Sequence, residues 1–377
     1  MFEVVFVVKV SKFCNLRCAY CYEHRELRVR DMMREEVLEA LFADVDRFGA
    51  YLRAQGIIPK FSFVWHGGEP LLLRPEYYLR IAELQKQLIC NFAYRNSVQS
   101  NLHGANKESL AFVLEMDWEL GVSIDFAGGV RASAGGRDSN RSVIAAAERL
   151  RKSGRTFGAI SVLGKHNRHT LAEAYDWVSE FAEGWRILPV FDGGPEPEIA
   201  RLRLPEEEIV AVFTELMERR ANAPRYISIV PLDDYIRAAT LRIAGPRALV
   251  DLASTQLDNI FIFNVNGDVY TRPFAYEPAF CLGNIGSASL AEMIEGAAYR
   301  SCQEVIHRRK VQNCAKCEFS GFCTSAPMHE HGAVTAADGA SKCHVTRMAI
   351  SAVETHLVSA GVDRAIVAEW AREWLAA

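Results

Sequence analysis

The sequence predicts an α/β protein built on an open, partial (β/α)6 barrel. Apolar runs of strand length alternate with amphipathic helical segments over the first two thirds of the chain. Polar motifs follow these strands, and the alternation stops near residue 256. Alternating strands and helices form a parallel sheet with right-handed crossovers, and the site of such a fold lies at the carboxyl ends of its strands.

The elements of the predicted barrel follow one another in regular order. We expect a first strand over residues 4–10 and a helix over 34–52, because Val37, Leu41 and Val45 share one helical face. The other strands are expected at 61–65, 96–99, 121–125, 157–163 and 185–191, and the other helices at 75–89, 106–117, 140–153, 170–182 and 205–220. Six such units fall short of the eight that close a barrel, so the sheet should stay open.

A different pattern occupies the last third of the chain. A hairpin with its turn at Asn266-Gly267 is expected first, followed by a short helix at 289–300 and a group of cysteines. Two amphipathic helices are expected at 345–359 and 363–375. We therefore predict a barrel over residues 1–225, a bridging segment over 226–255 and a cysteine-rich domain over 256–377.

The composition excludes two classes of partner. The chain has 377 residues, half of them apolar, and a formal net charge of -4. No basic tract stands out, so we expect no nucleic acid held by counterion release. No apolar run reaches the roughly 18 to 20 residues of a membrane span, and the N-terminal segment lacks the features of a signal peptide. We therefore expect a cytoplasmic protein without a membrane partner.

Three of the ten cysteines lie in one short loop after the first predicted strand, in the spacing Cys14-x-x-x-Cys18-x-x-Cys21. Cytoplasmic thiols serve more often as metal ligands than as disulfides. A structural zinc site and a fully ligated 4Fe–4S cluster both need four protein ligands. Three thiolates therefore favour a cluster with one open iron, and the alternatives are zinc completed by His24 or three structural cysteines.

This loop, with Tyr20 as its aromatic residue, resembles the signature of the radical SAM superfamily, whose fold is a TIM-type partial barrel. The motif "HGGEP" after the second strand is similar to the superfamily's GGE motif. The resemblance implies that Cys14, Cys18 and Cys21 hold a 4Fe–4S cluster whose open iron binds S-adenosylmethionine. Reductive cleavage of that molecule then yields a 5'-deoxyadenosyl radical, which removes a hydrogen atom from the substrate.

The resemblance also implies which residues contact S-adenosylmethionine. Gly67 and Gly68 let the backbone approach closely, and Glu69 receives the methionine amino group. The further candidates are Asn101 in "QSN", Ser123 and Asp125 in "SID", Arg141 for the carboxylate and Leu163 for the adenine. The alternative for Asn101, Ser123 and Asp125 is local capping of the loops that follow the strands.

A second group of cysteines lies near the C-terminus: Cys314, Cys317, Cys323 and Cys343. Their spacing permits zinc or a fully ligated 4Fe–4S cluster. After a radical SAM core, the group resembles the SPASM extension, which usually holds two auxiliary clusters. Arg272 or its neighbour, Ala288 and Pro327 stand where that pattern has cysteines. We therefore expect one auxiliary 4Fe–4S cluster for electron transfer or structure. Cys281 and Cys302 are expected to be core or spare thiols, and the alternative is that they rebuild part of a second auxiliary site.

The resemblance implies an enzyme that acts on peptides. We expect it to crosslink or otherwise oxidise a ribosomally made precursor peptide, helped by a separate leader-binding protein and by an electron donor such as flavodoxin or ferredoxin. Asp192 is the candidate catalytic residue, which orients substrate or accepts a proton, or else caps a turn. The alternatives are sulfatase maturation, against which the lost cysteines argue, and dehydrogenation of an aminocyclitol or sugar. A non-enzymatic metal scaffold leaves the GGE motif unexplained.

Overall fold

The computed structural model describes residues 2–190, 197–245, 259–272, 275–329 and 336–376. The chain forms two compact units. The first comprises Met1–Ile124, Gly128–Gly158 and Leu257–Gln303, and the second comprises Asp125–Ala127, Ala159–Gln256 and Glu304–Ala377. The domain boundaries drawn from the sequence pattern stay a prediction.

Apart from two three-residue strands and one five-residue helix, the helices and strands alternate through residue 221. The elements up to residue 152 are β1 (Phe2–Ser11), β2 (Leu16–Cys18), α1 (Glu35–Ala54), β3 (Pro59–Gly67), α2 (Pro75–Leu88), β4 (Tyr94–Ser100), α3 (Lys107–Glu115), β5 (Glu119–Ser123), β6 (Arg131–Ser133) and α4 (Asn140–Lys152). They continue with β7 (Gly158–Leu163), α5 (Tyr175–Phe181), β8 (Gly184–Pro189), α6 (Glu198–Leu202) and α7 (Glu206–Ala221). The predicted series of six strands and helices is confirmed, with ends that differ by a few residues.

The C-terminal third contains shorter strands and longer helices. Its elements are β9 (Ser228–Val230), α8 (Leu232–Ala244), β10 (Ile260–Phe263), β11 (Asp268–Thr271), β12 (Gly283–Asn284), α9 (Leu290–Glu295), α10 (Ala297–Cys314), α11 (Ala336–Ser359) and α12 (Arg364–Ala376). The predicted helix at 289–300 is in fact two helices, the second of which continues to Cys314. The segment expected to be a bridge contains β9 and α8.

Parallel pairing organises the sheet of the first unit. Strands β10, β1, β3, β4 and β5 lie side by side in that order, and each neighbouring pair is parallel. Strands β11 and β12 extend the sheet in antiparallel fashion beyond β10. Phe6 of β1 is fully buried, and its ring centroid lies 5.5 Å from that of Phe61 and 5.3 Å from that of Phe63. Val4, Phe6 and Val8 on one face of β1 are fully buried, and Val5 and Val7 on the other face are half-buried. Apolar contact on both faces explains why β1 reads as a continuous apolar run.

The second unit joins a short parallel pair to a group of helices. Strands β8 and β9 pair in parallel, and α8 packs against α11 and α12. Buried apolar side chains of α8 form its inner face, which includes Leu232, Tyr235 and Leu241. Among the helices of the described ranges, none combines the length and apolar character needed to cross a membrane.

Candidate active site

The first cysteine loop begins where β1 ends. Cys14 is 7% exposed and packs with Leu16 and Leu27, and the half-buried Cys18 and Cys21 pack against the same cluster. The backbone N–H of Cys14 donates to the carbonyl of Leu27 at 3.1 Å. The structure therefore brings all three predicted ligands of the first cluster into one small apolar cluster.

The surroundings of these thiols suit a cationic group. Burial raises the pKa of Cys14 to about 12, helped by the negative charge of Glu69 and then by Cys18. Burial, followed by the charge of Cys18, raises the pKa of Cys21 to about 12 as well. Thiolates in such a place need positive charge beside them, and iron supplies it. The donor set therefore fits an iron–sulfur cluster.

Two glycines let the end of β3 lie directly against this loop. A Cβ on Gly67 would lie 2.2 Å from the carbonyl oxygen of Ser11, and a Cβ on Gly68 would lie 2.2 Å from that of Phe13. Gly67 also has φ +135°, which side-chain-bearing residues rarely adopt. Gly67 and Gly68 therefore allow close contact with the chain's own backbone at Ser11 and Phe13. Their close approach to the cofactor stays a prediction.

Glu69 is 1% exposed and joins the ends of β3 and β4. Its Oε1 accepts from the backbone N–H of Leu71 at 3.0 Å and from Ser100 Oγ at 2.7 Å. Its Oε2 accepts from the backbone N–H of Asn101 at 2.7 Å. Burial raises the pKa of Glu69, and the hydrogen bonds from Asn101, Ser100 and Leu71 oppose that rise. The carboxylate is thus held in one orientation by three internal donors.

Asn101 lies beside the first cysteine loop. Its Nδ2 donates to Asn15 Oδ1 at 3.1 Å and is 3.7 Å from Cys14 Sγ. Its Oδ1 accepts from the backbone N–H of His103 at 2.7 Å. Of the predicted contacts to S-adenosylmethionine, Gly67, Gly68, Glu69 and Asn101 are therefore gathered around the ligands.

The remaining predicted contacts make different interactions. Ser123 Oγ accepts from Gln99 Nε2 at 2.9 Å in the first unit. In the second unit, Asp125 Oδ1 accepts from the backbone N–H of Val162 in β7 at 2.8 Å, a bond that spans 37 residues and is not the local capping considered as the alternative. Leu163 is buried, and Arg141 is exposed in the first turn of α4. Asp192 lies outside the described residues.

The second group of cysteines lines one cavity in the second unit. Cys314, Cys317, Cys323 and Cys343 surround it together with Phe319 and Ile350. Burial, followed by the charges of the neighbouring cysteines, raises the pKa of Cys314 to about 12. Four thiols around one cavity are the donor set of a fully ligated cluster or of zinc.

Two of the residues that replace SPASM cysteines, Ala288 and Pro327, have structural surroundings of their own. Ala288 donates its backbone N–H to the carbonyl of Asn284 at 3.0 Å, and Pro327 is buried in a short 3-10 turn. Cys302 is fully buried within α10, as expected of a core thiol. The Sγ of Cys281 lies 3.5 Å from the carbonyl of Gly283.

A buried charge cluster near the first site was not predicted. Lys9 Nζ lies 2.7 Å from Glu23 Oε2, and both side chains are under 5% exposed. The same ammonium lies 3.1 Å from Glu26 Oε2 and 4.1 Å from the ring centroid of Tyr276. The only signal in the sequence was a lysine inside the apolar run of the first strand.

Comparison with known families identifies the class of protein to which this chain belongs. Residues 8–178 match the radical SAM superfamily, and residues 255–318 match the SPASM iron–sulfur cluster-binding domain. We therefore assign the chain to the radical SAM superfamily, with a SPASM domain after the core. It is an enzyme. Its cofactors are S-adenosylmethionine, the 4Fe–4S cluster that binds S-adenosylmethionine, and auxiliary iron–sulfur clusters in the SPASM domain.

Particular relatives match most of the chain. The serine-type anaerobic sulfatase-maturating enzyme of Bacteroides thetaiotaomicron is 25% identical over 348 residues, which span 85% of this chain and 81% of that protein. A cysteine-type enzyme of Clostridium perfringens is 28% identical over 333 residues, 83% and 85% of the two chains. A solved structure of anSMEcpe with bound AdoMet and the Cp18Cys peptide has a TM-score of 0.73 at 20% identity, covering 96% and 99%.

Proposed function

We propose that this enzyme oxidises a serine or cysteine side chain of a polypeptide to formylglycine, the chemistry of the sulfatase-maturating relatives. The observation that supports this is the extent of the similarity, since it covers more than four fifths of this chain and of the two curated relatives. The sequence pattern put peptide crosslinking first and sulfatase maturation second. The comparisons favour the second of these two interpretations.

The proposal gives roles to the residues at the first site. Cys14, Cys18 and Cys21 hold the cluster, which together with S-adenosylmethionine supplies a 5'-deoxyadenosyl radical when both are bound. Asn101 donates toward Cys14 and orients the loop through Asn15. Glu69 keeps one orientation for the methionine amino group because three donors fix its carboxylate.

The reaction balances as a two-electron oxidation of the substrate. The side-chain carbon loses one hydrogen atom to the radical, and it then loses one electron and one proton to give the aldehyde of serine. Cysteine follows the same course to a thioaldehyde, whose sulfur is exchanged for the oxygen of water. Cys314, Cys317, Cys323 and Cys343 would hold the auxiliary cluster that accepts the electron, and Asp192 is the candidate acceptor of the proton.

Two peptides that differ only in having serine or cysteine at the target position test the proposal. The reconstituted enzyme is incubated with S-adenosylmethionine, a reductant and each peptide. The serine peptide should lose two hydrogens and form an adduct with a hydrazide, which reports the aldehyde. The Cys14→Ala variant should give neither change. Formation of 5'-deoxyadenosine with both peptides unchanged would exclude this substrate class.

Crosslinking of a precursor peptide is the second candidate. Arg272 and Ala288 favour it, because they stand where the two-cluster SPASM pattern has cysteines. A crosslinked peptide also loses two hydrogens, but it carries no aldehyde. A mass loss without a hydrazide adduct would therefore select crosslinking, and fragmentation would locate the new bond.

A further inference from the structure

A positively charged segment lies directly against the first cysteine loop. This segment, residues 24–34, is called the arginine arm here because it contains Arg25, Arg28, Arg30 and Arg34, all exposed. Its only acidic residues are Glu26 and Asp31, although the whole chain has a net charge of -4. The arm is thus locally basic on an acidic protein.

Backbone hydrogen bonds fix the arm beside the ligands. The N–H of Lys12 donates to the carbonyl of Asp31 at 3.0 Å, and the N–H of Cys14 donates to the carbonyl of Leu27 at 3.1 Å. The N–H of Met33 donates to the carbonyl of Val10 at 2.9 Å. The backbone of the arm therefore runs alongside residues 10–14, which include the predicted cluster ligand Cys14.

The described residues do not neutralise the charges of the arm. Glu26 is engaged by Lys9 and by Lys12, so it is not available to the arginines. Within the described part of the chain, Arg25 and Arg28 lie within 4 Å of no carboxylate, and Arg30 lies over the ring of Phe13. Exposed guanidinium groups on a segment whose backbone bonds to the ligand loop provide a surface for an acidic partner.

Apolar side chains on the same segment give the surface the composition of an interface. Tyr22, immediately before the arm, is 41% exposed, Val29 is 38% exposed and Met32 is 44% exposed. Protein interfaces are enriched in aromatic residues, methionine and arginine.

We infer that the arginine arm docks a small acidic one-electron carrier protein of the flavodoxin type. The reaction needs one electron at the first cluster, and the arm shares its backbone hydrogen bonds with the loop that holds the ligands. The inference rests on membership of the radical SAM superfamily and not on the identity of the substrate. An acidic peptide substrate is the competing occupant, and the experiment distinguishes the two.

The experiment compares two charge reversals of equal size. Arg25→Glu/Arg28→Glu changes the arm, and Arg149→Glu/Lys152→Glu changes exposed positions at the end of α4. Oxidised flavodoxin is titrated into each holoenzyme by calorimetry. The arm variant should bind at least about tenfold more weakly than the α4 variant, and added salt should weaken wild-type binding.

Reduction kinetics provide the second measurement. Reduced flavodoxin should reduce the first cluster of the arm variant at least about tenfold more slowly, whereas dithionite should reduce it at the wild-type rate. Equal flavodoxin binding by the two variants would overturn the inference. Slower reduction by dithionite as well would show that the arm supports the cluster itself, and weaker peptide binding with unchanged flavodoxin binding would assign the arm to the substrate.

Discussion

At the scale of single residues, the buried pair of Lys9 and Glu23 is sensitive to change, because both side chains are under 5% exposed. Replacing Lys9 by methionine leaves the carboxylate of Glu23 buried without its counter-charge. We expect the free energy of unfolding to fall by about 3 to 5 kcal/mol in urea denaturation. The double variant Lys9→Met/Glu23→Gln should recover part of this loss. A single variant as stable as the wild type would contradict this account.

His66 makes stability depend on pH at the same scale. Burial, helped by the charge of Lys9, lowers the pKa of His66 from 6.5 to about 4. Its Nδ1 accepts from the backbone N–H of Gly67 at 2.8 Å, a bond that protonation would break. Between pH 6.5 and about 4 the unfolded chain binds a proton that the folded chain does not. The free energy of unfolding should therefore be highest above pH 6.5 and fall as the pH drops.

The contribution of His66 to the pH dependence of the free energy of unfolding is moderate, because its side chain is not completely shielded from water. We expect a loss of about 1 to 3 kcal/mol between pH 7 and pH 4. Urea denaturation of the metal-free chain measures it, and His66→Gln, which keeps an acceptor for Gly67, should reduce the dependence on pH. An identical dependence in both proteins would assign it to other groups.

The residues of the site were predictable to different degrees. The three cysteines were found because their spacing has a chemical meaning, and the glycines were found because their motif resembles that of the radical SAM superfamily. The partners of Lys9 were not, because Glu23 and Tyr276 come from distant positions that only the folded chain brings together. The side-chain hydrogen bonds of Glu69 also depend on where β4 ends, which periodicity does not define to one residue.

At the scale of elements, the contact between β3 and the cysteine loop leads to a prediction about Gly68. The Cβ of Gly68→Ala would clash with the carbonyl of Phe13, so the loop must move away from the end of β3. We expect lower stability, by about 1 to 3 kcal/mol, and a lower iron content. Gly158→Ala is the matched control, since a Cβ there meets no atom within 4 Å. Equal iron content in the two variants would contradict this prediction.

Periodicity located the long elements and missed the short ones. The strands and helices up to residue 221 were found because each buries a face at its own period. Strands β2 and β6 have three residues each, too few to show a period, and they pair across the chain from Cys18 to Arg131. Helix α8 follows the three-residue strand β9, and the segment was therefore taken for a linker.

At the scale of the whole molecule, the number of clusters is open to direct measurement. We predict two 4Fe–4S clusters, and so about eight iron atoms per chain. Cys314→Ala should remove about half of the iron, because it breaks the four-thiol cavity. Cys281→Ala and Cys302→Ala should leave the iron content unchanged. A wild-type content of about twelve iron atoms would show that a second auxiliary cluster forms without the usual cysteines.

The two groups of cysteine ligands differ in how much of the polypeptide must be synthesised before the thiols of each group can come together. The first group closes a loop of only a few residues, whereas the second joins the end of α10 to a cysteine in α11. Short loops cost less entropy to close than long ones. During synthesis on the ribosome, the first group can approach its final arrangement while most of the chain is still unmade. The second must wait for α11, so its four thiols can be gathered only later in synthesis than the three thiols of the first group.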